Sequence, residues 1–216
     1  MKTYRLVTYS EGEELAHRIT HGFGAVLSIV GLFVLVYATA TRGGFWRLVS
    51  CSLYGTTLVI FYAVSTIYHT VRTPWLKYLF RILDHASIFL VIAGTYTPFT
   101  LVSLPAPWGW TIFLLIWGLA LAGTLLKVVM TGRLRILGPL LYLGMGWLIV
   151  LAYRPLTAAV SPMGVRWLLA GGLAYSAGLI FYAWTKLPYN HAVWHVFVLV
   201  GSACHYFAVL FYVVPT

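Results

Sequence analysis

Toward its C-terminal end the sequence reads Pro188-Tyr-Asn-His-Ala-Val-Trp-His195, which sets His191 and His195 one helical turn apart. Residues i and i+4 share a helix face, so both imidazoles can aim at one point. Ser65 and His69, in Ser65-Thr-Ile-Tyr-His69, repeat that spacing, and Asp84 stands in Leu83-Asp-His-Ala-Ser87. Three histidines and one carboxylate suit a zinc ion, because three protein ligands with a fourth position left to water is the catalytic arrangement. A carboxylate beside that water would orient it or take its proton, and Ser65 would steady the site from behind. Alone, the His191/His195 pair is a weak signal whose ordinary reading is an interfacial pair. Asp84 has structural readings of its own: an ion pair with Arg81 or another arginine, or a cap on the N-terminus of a helix, where a carboxylate is favoured.

The elements that must position these groups follow from composition. The chain has 216 residues, of which 61% are hydrophobic and 8% charged. A soluble domain carries about 25% charged residues, so this composition belongs to an integral membrane protein. A membrane span needs about 20 mostly apolar residues. Seven runs qualify: Gly22–Ala40, Leu48–His69, Ile82–Leu104, Trp108–Leu126, Ile136–Tyr153, Trp167–Thr185 and His191–Val214. In hydrocarbon the backbone must satisfy its own hydrogen bonds, so the runs are predicted to be helices and the fold all-α. The reading is one seven-helix domain over residues 22–214, preceded by a cytoplasmic tail over residues 1–21 that carries Glu11, Glu13 and Glu14. The first run lacks a small-residue cleavage site and reads as a retained span.

Seven spans put the termini on opposite sides, and the side richer in Lys and Arg is cytoplasmic. With the N-terminus, Lys2, Arg5, Arg18, Arg72, Lys77, Arg81, Lys127, Arg133, Arg135 and Lys186 fall on one side; Arg42, Arg47, Arg154 and Arg166 fall on the other. The N-terminus is therefore expected to be cytoplasmic and the C-terminus external. Trp46, Trp75, Trp108, Trp110 and Trp167 stand near span ends, as interfacial anchors do. The net charge of +10 lies in these short loops and no nucleic-acid-binding motif is present, so nucleic acid is not expected as a partner. Cys51 and Cys204 lack metal-ligand or disulfide spacing and read as small core residues.

On this topology His69 closes the second span, Asp84 opens the third, and His191 and His195 open the seventh. All four then lie at the cytoplasmic end. Ionisable groups in spans are unfavourable by roughly 2.5–3.5 kcal/mol each, and this convergence brings the metal reading level with the interfacial one. His17 and His21 form a second i,i+4 pair, read as decorating an interfacial helix, with the shared cavity as the lesser reading. His85 would point about 100° away from Asp84. His205 lies roughly 15 Å deeper than His195 by helical rise and reads as an interior hydrogen-bonded histidine, with a substrate-cavity role as the lesser reading. Gly94-Thr-Tyr-Thr-Pro98 is expected to interrupt the third helix, and Gly144-Met-Gly146 and Gly171-Gly172 to mark close helix approach.

Taken together, Glu13-Glu-Leu-Ala, Thr20-His-Gly-Phe-Gly24, Ser65-Thr-Ile-Tyr-His69, Leu83-Asp-His-Ala-Ser87, Ala93-Gly-Thr-Tyr-Thr-Pro98 and Pro188-Tyr-Asn-His-Ala-Val-Trp-His195 make the chain similar to the hemolysin III family. That family is the bacterial branch of the progestin and adipoQ receptor superfamily, and the resemblance covers nearly the whole chain. It implies a seven-helix, multi-pass protein of the bacterial inner membrane with a cytoplasmic N-terminus. It also implies zinc held by His69, His191 and His195, with Asp84 on the water and Ser65 beside it. His17 departs from the family pattern, in which a small polar residue such as Asn is expected. Three functions follow as expectations. The first is a zinc-dependent intramembrane hydrolase of a lipid amide or ester, serving membrane lipid homeostasis, with a membrane lipid as substrate. The second is a channel or pore-forming cytolysin. The third is a non-enzymatic sensor in which zinc is a structural clamp.

Overall fold

The computed structural model describes residues 6–130 and 137–215, and every regular element among them is helical. Seven segments are long and apolar enough to cross a membrane. The first four are α1 (Glu11–Arg42), α2 (Phe45–Thr70), α3 (Pro74–Pro98, prolonged by a π-helical turn over Phe99–Ser103) and α4 (Ala106–Val129). The fifth is composite: α5 (Leu137–Gly146), a 3-10 turn over Leu148–Ala152, and α6 (Tyr153–Ala159). The last two are α7 (Pro162–Ala183) and α8 (Asn190–Tyr212). Lys2, Arg5, Arg133 and Arg135, which enter the charge count, and Ile136, at the start of the fifth run, lie outside the described residues.

Local chemistry explains where the helices start. Ser10 and Glu13 form a reciprocal capping box: Glu13 N donates to Ser10 Oγ at 3.3 Å, and Ser10 N donates to Glu13 Oε2 at 2.9 Å. Helix α1 therefore begins at Glu11, upstream of the apolar run, and residues 11–21 continue the first helix. Glu11, Glu13 and Glu14 lower the local hydropathy, yet they occupy the first turn, where the helix dipole favours acids. Helix α3 starts at Pro74, a favoured first position, after the N-cap Thr73. Asp84 is consequently interior to α3 and caps nothing, against one of its sequence readings.

Consecutive helices pack side by side from α1 to α4, the composite fifth span lies against α3, α4 and α7, and α7 packs on α8. Contacts between α8 and α1 close the ring. This closure brings the start of α1, the end of α2, the first half of α3 and the start of α8 to one end of the bundle. Asn190, in the first turn of α8, donates its Nδ2 to Phe181 O and Tyr182 O at 3.2 Å each. It thereby satisfies carbonyls left over at the end of α7 and pins the turn that carries His191.

Two expectations about glycine and proline change. Gly94–Pro98 does not break α3, which runs through Pro98 into its π-helical turn. The fifth span is the one that breaks. A β-carbon at Gly144 or Gly146 would meet no atom within 4 Å, so these glycines do not serve close approach. They lie where α5 stops, and Tyr96 of α3 repairs the gap. Its hydroxyl accepts from Ile149 N at 3.0 Å and lies 2.8 Å from both Met145 O and Gly146 O. Gly171 does serve close approach, since a β-carbon there would press on the His205 ring and the Gly201 carbonyl.

Candidate metal centre

Four helix ends supply the site, which is built from side chains buried in the bundle. His69, His191 and His195 are 3%, 8% and 1% exposed. One ring nitrogen from each lies within 4.8 Å of the other two. The hydrogen bonds fix which nitrogen faces inward. His69 Nδ1 is 2.7 Å from Glu14 Oε2; a carboxylate only accepts, so Nδ1 carries the proton and Nε2 keeps its lone pair. Thr20 donates its hydroxyl proton to the carbonyls of Ala16 and His17 (2.8 and 3.0 Å) and therefore accepts from His195 Nδ1 at 3.0 Å. His195 Nε2 is then also a lone pair. The Nε2 atoms of His69 and His191 are buried with no hydrogen-bond partner among the described residues.

Buried polar atoms are normally paired. Converging unpaired nitrogens, backed by a carboxylate and a hydroxyl on the far side of two rings, form the donor set that a metal ion completes. The residues present can hold such an ion.

Asp84 and Ser65 stand beside the trio. Asp84 is 7% exposed, and its Oδ2 lies 3.3 Å from His85 Nδ1, which donates to Arg81 O at 2.8 Å. His85 thus turns back toward its neighbour, contrary to the 100° separation expected on an ideal helix. Ser65 Oγ is 2.7 Å from His21 Nδ1.

The structure also corrects the reading of α1. His17 and His21 are not interfacial decoration: they are 0% and 2% exposed and lie within the cluster. The His21 ring stacks on His195 at 3.4 Å between centroids, and the His17 ring lies 4.4 Å from His69 and 4.8 Å from His191. Glu14, which the sequence places only in the polar tail, also belongs to the site. Its Oε1 pairs with Lys77 Nζ at 2.6 Å, so the acid that holds His69 is itself neutralised from α3. Glu14, His17 and His69 also form a tight group of donor atoms. With the Lys77 ammonium already on Glu14, that carboxylate acts as support for His69. The i, i+3, i+7 spacing of Glu14, His17 and His21 was the available signal, since it marks one helix face. Tyr9 covers the cluster from the N-terminal segment, its ring 4.8 Å from His17 and 5.5 Å from His191. Burial pushes its hydroxyl well above the ordinary tyrosine range.

His205 takes no part in this centre. It stacks on Tyr175 at 5.5 Å and lines an apolar cavity of about 110 Å³ with Ile92, Tyr142, Trp147 and Trp194. Phe61 lines the same cavity and packs its edge on His21 at 5.5 Å, so cavity and histidine cluster share a wall.

The family described as haemolysin-III related matches residues 9–206, a stretch that contains every side chain of the cluster. The chain belongs to this family. It is 47% identical over 204 residues to hemolysin-3 of Bacillus cereus, covering 94% of this chain and 93% of that protein. It is 44% identical to the hemolysin-3 homolog of Bacillus subtilis (strain 168), with 94% and 95% covered. At 29% identity it is similar to the human monocyte to macrophage differentiation factor, over 91% of this chain and 83% of that protein. No solved structure matches the chain. This haemolysin-III related protein is thus a multi-pass, all-helical membrane protein with a histidine cluster able to take a metal ion.

Proposed function

We propose that this chain is a zinc-dependent intramembrane hydrolase that cleaves an amide or ester bond of a membrane lipid. In this reading the centre lies at the cytoplasmic face of a bacterial inner membrane, with the N-terminus on that side and the C-terminus external. The observation that carries it is the convergence of one ring nitrogen each from His69, His191 and His195 in the buried bundle end that also holds Asp84. His-only ligation suits zinc. A bound zinc ion supplies Lewis acidity and brings the pKa of water down to about 7.

The protein's own groups divide the remaining work. His69, His191 and His195 would hold the ion, with Glu14 and Thr20 fixing two of the rings. Asp84, steadied by Ser65 and His85, takes a proton from water on its carboxylate and later returns it to the leaving amine or alcohol. The adjoining apolar cavity suits an acyl chain, and its shared wall at Phe61 would set the scissile bond beside the histidines.

The test is zinc per chain by elemental analysis of detergent-purified protein prepared without chelators, alongside release of fatty acid from a lipid amide. The expected result is about one zinc in wild type, lost in His191→Ala and kept in Asp84→Ala. Asp84→Ala should slow hydrolysis about 10²–10⁴-fold, the usual contribution of a general base. A wild-type protein without zinc would remove the hydrolase reading, and a zinc-loaded Asp84→Ala with undiminished hydrolysis would remove Asp84 from it.

A further inference from the structure

His17 is the one histidine of the cluster with both ring nitrogens buried and unpaired among the described residues. It is 0% exposed. Its Nδ1 lies 3.8 Å from Glu14 Oε2, beyond hydrogen-bond length. Its ring faces all three proposed ligands, with centroids 4.4 Å from His69, 4.8 Å from His191 and 5.2 Å from His195. Yet the mutually close nitrogens are those of His69, His191 and His195, without His17. Its donor atom is instead close to those of Glu14 and His69, in a second group that shares only His69 with the trio. His17 thus stands outside the mutually close trio while its ring faces all three members.

We propose that His17 is a ligand-binding residue of the centre, donating a ring N–H to an oxygen of the exogenous group that occupies the open position. The class of group is a carboxylate or another small oxygen ligand, such as the acid released from a cleaved acyl chain. This rests on the metal-centre reading above and adds a contact to it. One of the two buried nitrogens then engages the bound oxygen, and the ring stays wedged between Tyr9 and the trio. It also leaves the three-ligand centre open, where a direct fourth histidine would close it.

The experiment uses the full chain in detergent, loaded with Co²⁺ as a spectroscopic stand-in for zinc and titrated with acetate, read by visible absorption. Wild type should bind one Co²⁺ per chain, and acetate should shift its bands. His17→Phe keeps the ring volume and removes the nitrogens. It should retain the Co²⁺ and weaken acetate about tenfold, as expected for one lost hydrogen bond to a charged group. His17→Asn restores a donor and should recover most of that loss. His17→Leu, a second nitrogen-free variant, serves if the phenylalanine variant does not elute as a monodisperse species. Loss of Co²⁺ from a well-folded His17→Phe would overturn the proposal by making His17 a direct ligand. Unchanged acetate affinity, or no acetate shift in wild type, would overturn it by making His17 a packing residue. Failure of wild type to bind Co²⁺ would instead overturn the metal reading, and this inference with it.

Discussion

At the scale of single residues, tautomers decide what the cluster can do. A neutral imidazole has one donor and one acceptor, and the group on the far nitrogen chooses which is which. Glu14 and Thr20 make that choice for His69 and His195. Glu14 should therefore matter to metal binding without touching the metal. Glu14→Gln keeps an acceptor near His69 but loses the charge and the Lys77 ion pair. The expected outcome is a metal affinity about 10–100-fold lower, measured by competition with a fluorescent zinc chelator. Equal affinity in the variant would show that the acid is not a support of the centre. His17 is the reverse case: neither of its buried nitrogens has a partner among the described residues.

At the scale of elements, the composite fifth span is the point of structural economy. Its helix stops where glycines border open space, and one phenol from α3 answers the freed backbone groups. Tyr96→Phe removes those bonds while keeping the ring. It should lower stability by about 1–3 kcal/mol, because buried carbonyls and an amide lose their partner, and unfolding in detergent followed by circular dichroism would register the change. The glycines themselves separate into two kinds. Gly171→Ala drives a methyl against the His205 ring and the Gly201 carbonyl and should destabilise the pairing of α7 with α8. Gly144→Ala meets nothing and should be neutral or stabilising by up to about 1 kcal/mol, since alanine is the better helix former. Thermal melts of the two variants side by side would check both, and the order of their midpoints is the test.

At the scale of the whole molecule, ring closure between α1 and α8 brings together groups from the two ends of the sequence. The start of α1, the end of α2 and the starts of α3 and α8 must then share one side of the membrane. With Cys51 and Cys204 replaced by serine, cysteines introduced at Ser10 and Thr73 should be labelled by an impermeant maleimide from the same face, and one introduced at Thr41 from the other. The charge count predicts that the shared face is cytoplasmic, so in intact cells only Thr41→Cys should react. Labelling of Ser10→Cys in intact cells would reverse the orientation without disturbing the fold.

The sequence by itself determined the number of spans, their helical nature and the depth of the chemistry. Hydrocarbon leaves the backbone no alternative to helix, and alternating direction puts His69, Asp84, His191 and His195 at one level once spans are counted. Helix starts were less legible. The capping box at Ser10 and the proline at Pro74 begin α1 and α3 in polar stretches that hydropathy leaves out. Only the tertiary structure decided which face of α1 turns inward, and so that Glu14, His17 and His21 join the centre. The physical reason is that lipid is as apolar as a protein core, so the two faces of a membrane helix carry little of the contrast that orients a helix in water. The pairing of Glu14 with Lys77, the choice of nitrogen on His69 and His195 and the mending of the fifth span by Tyr96 are contacts between distant stretches of chain. They exist only once the ring of helices has closed.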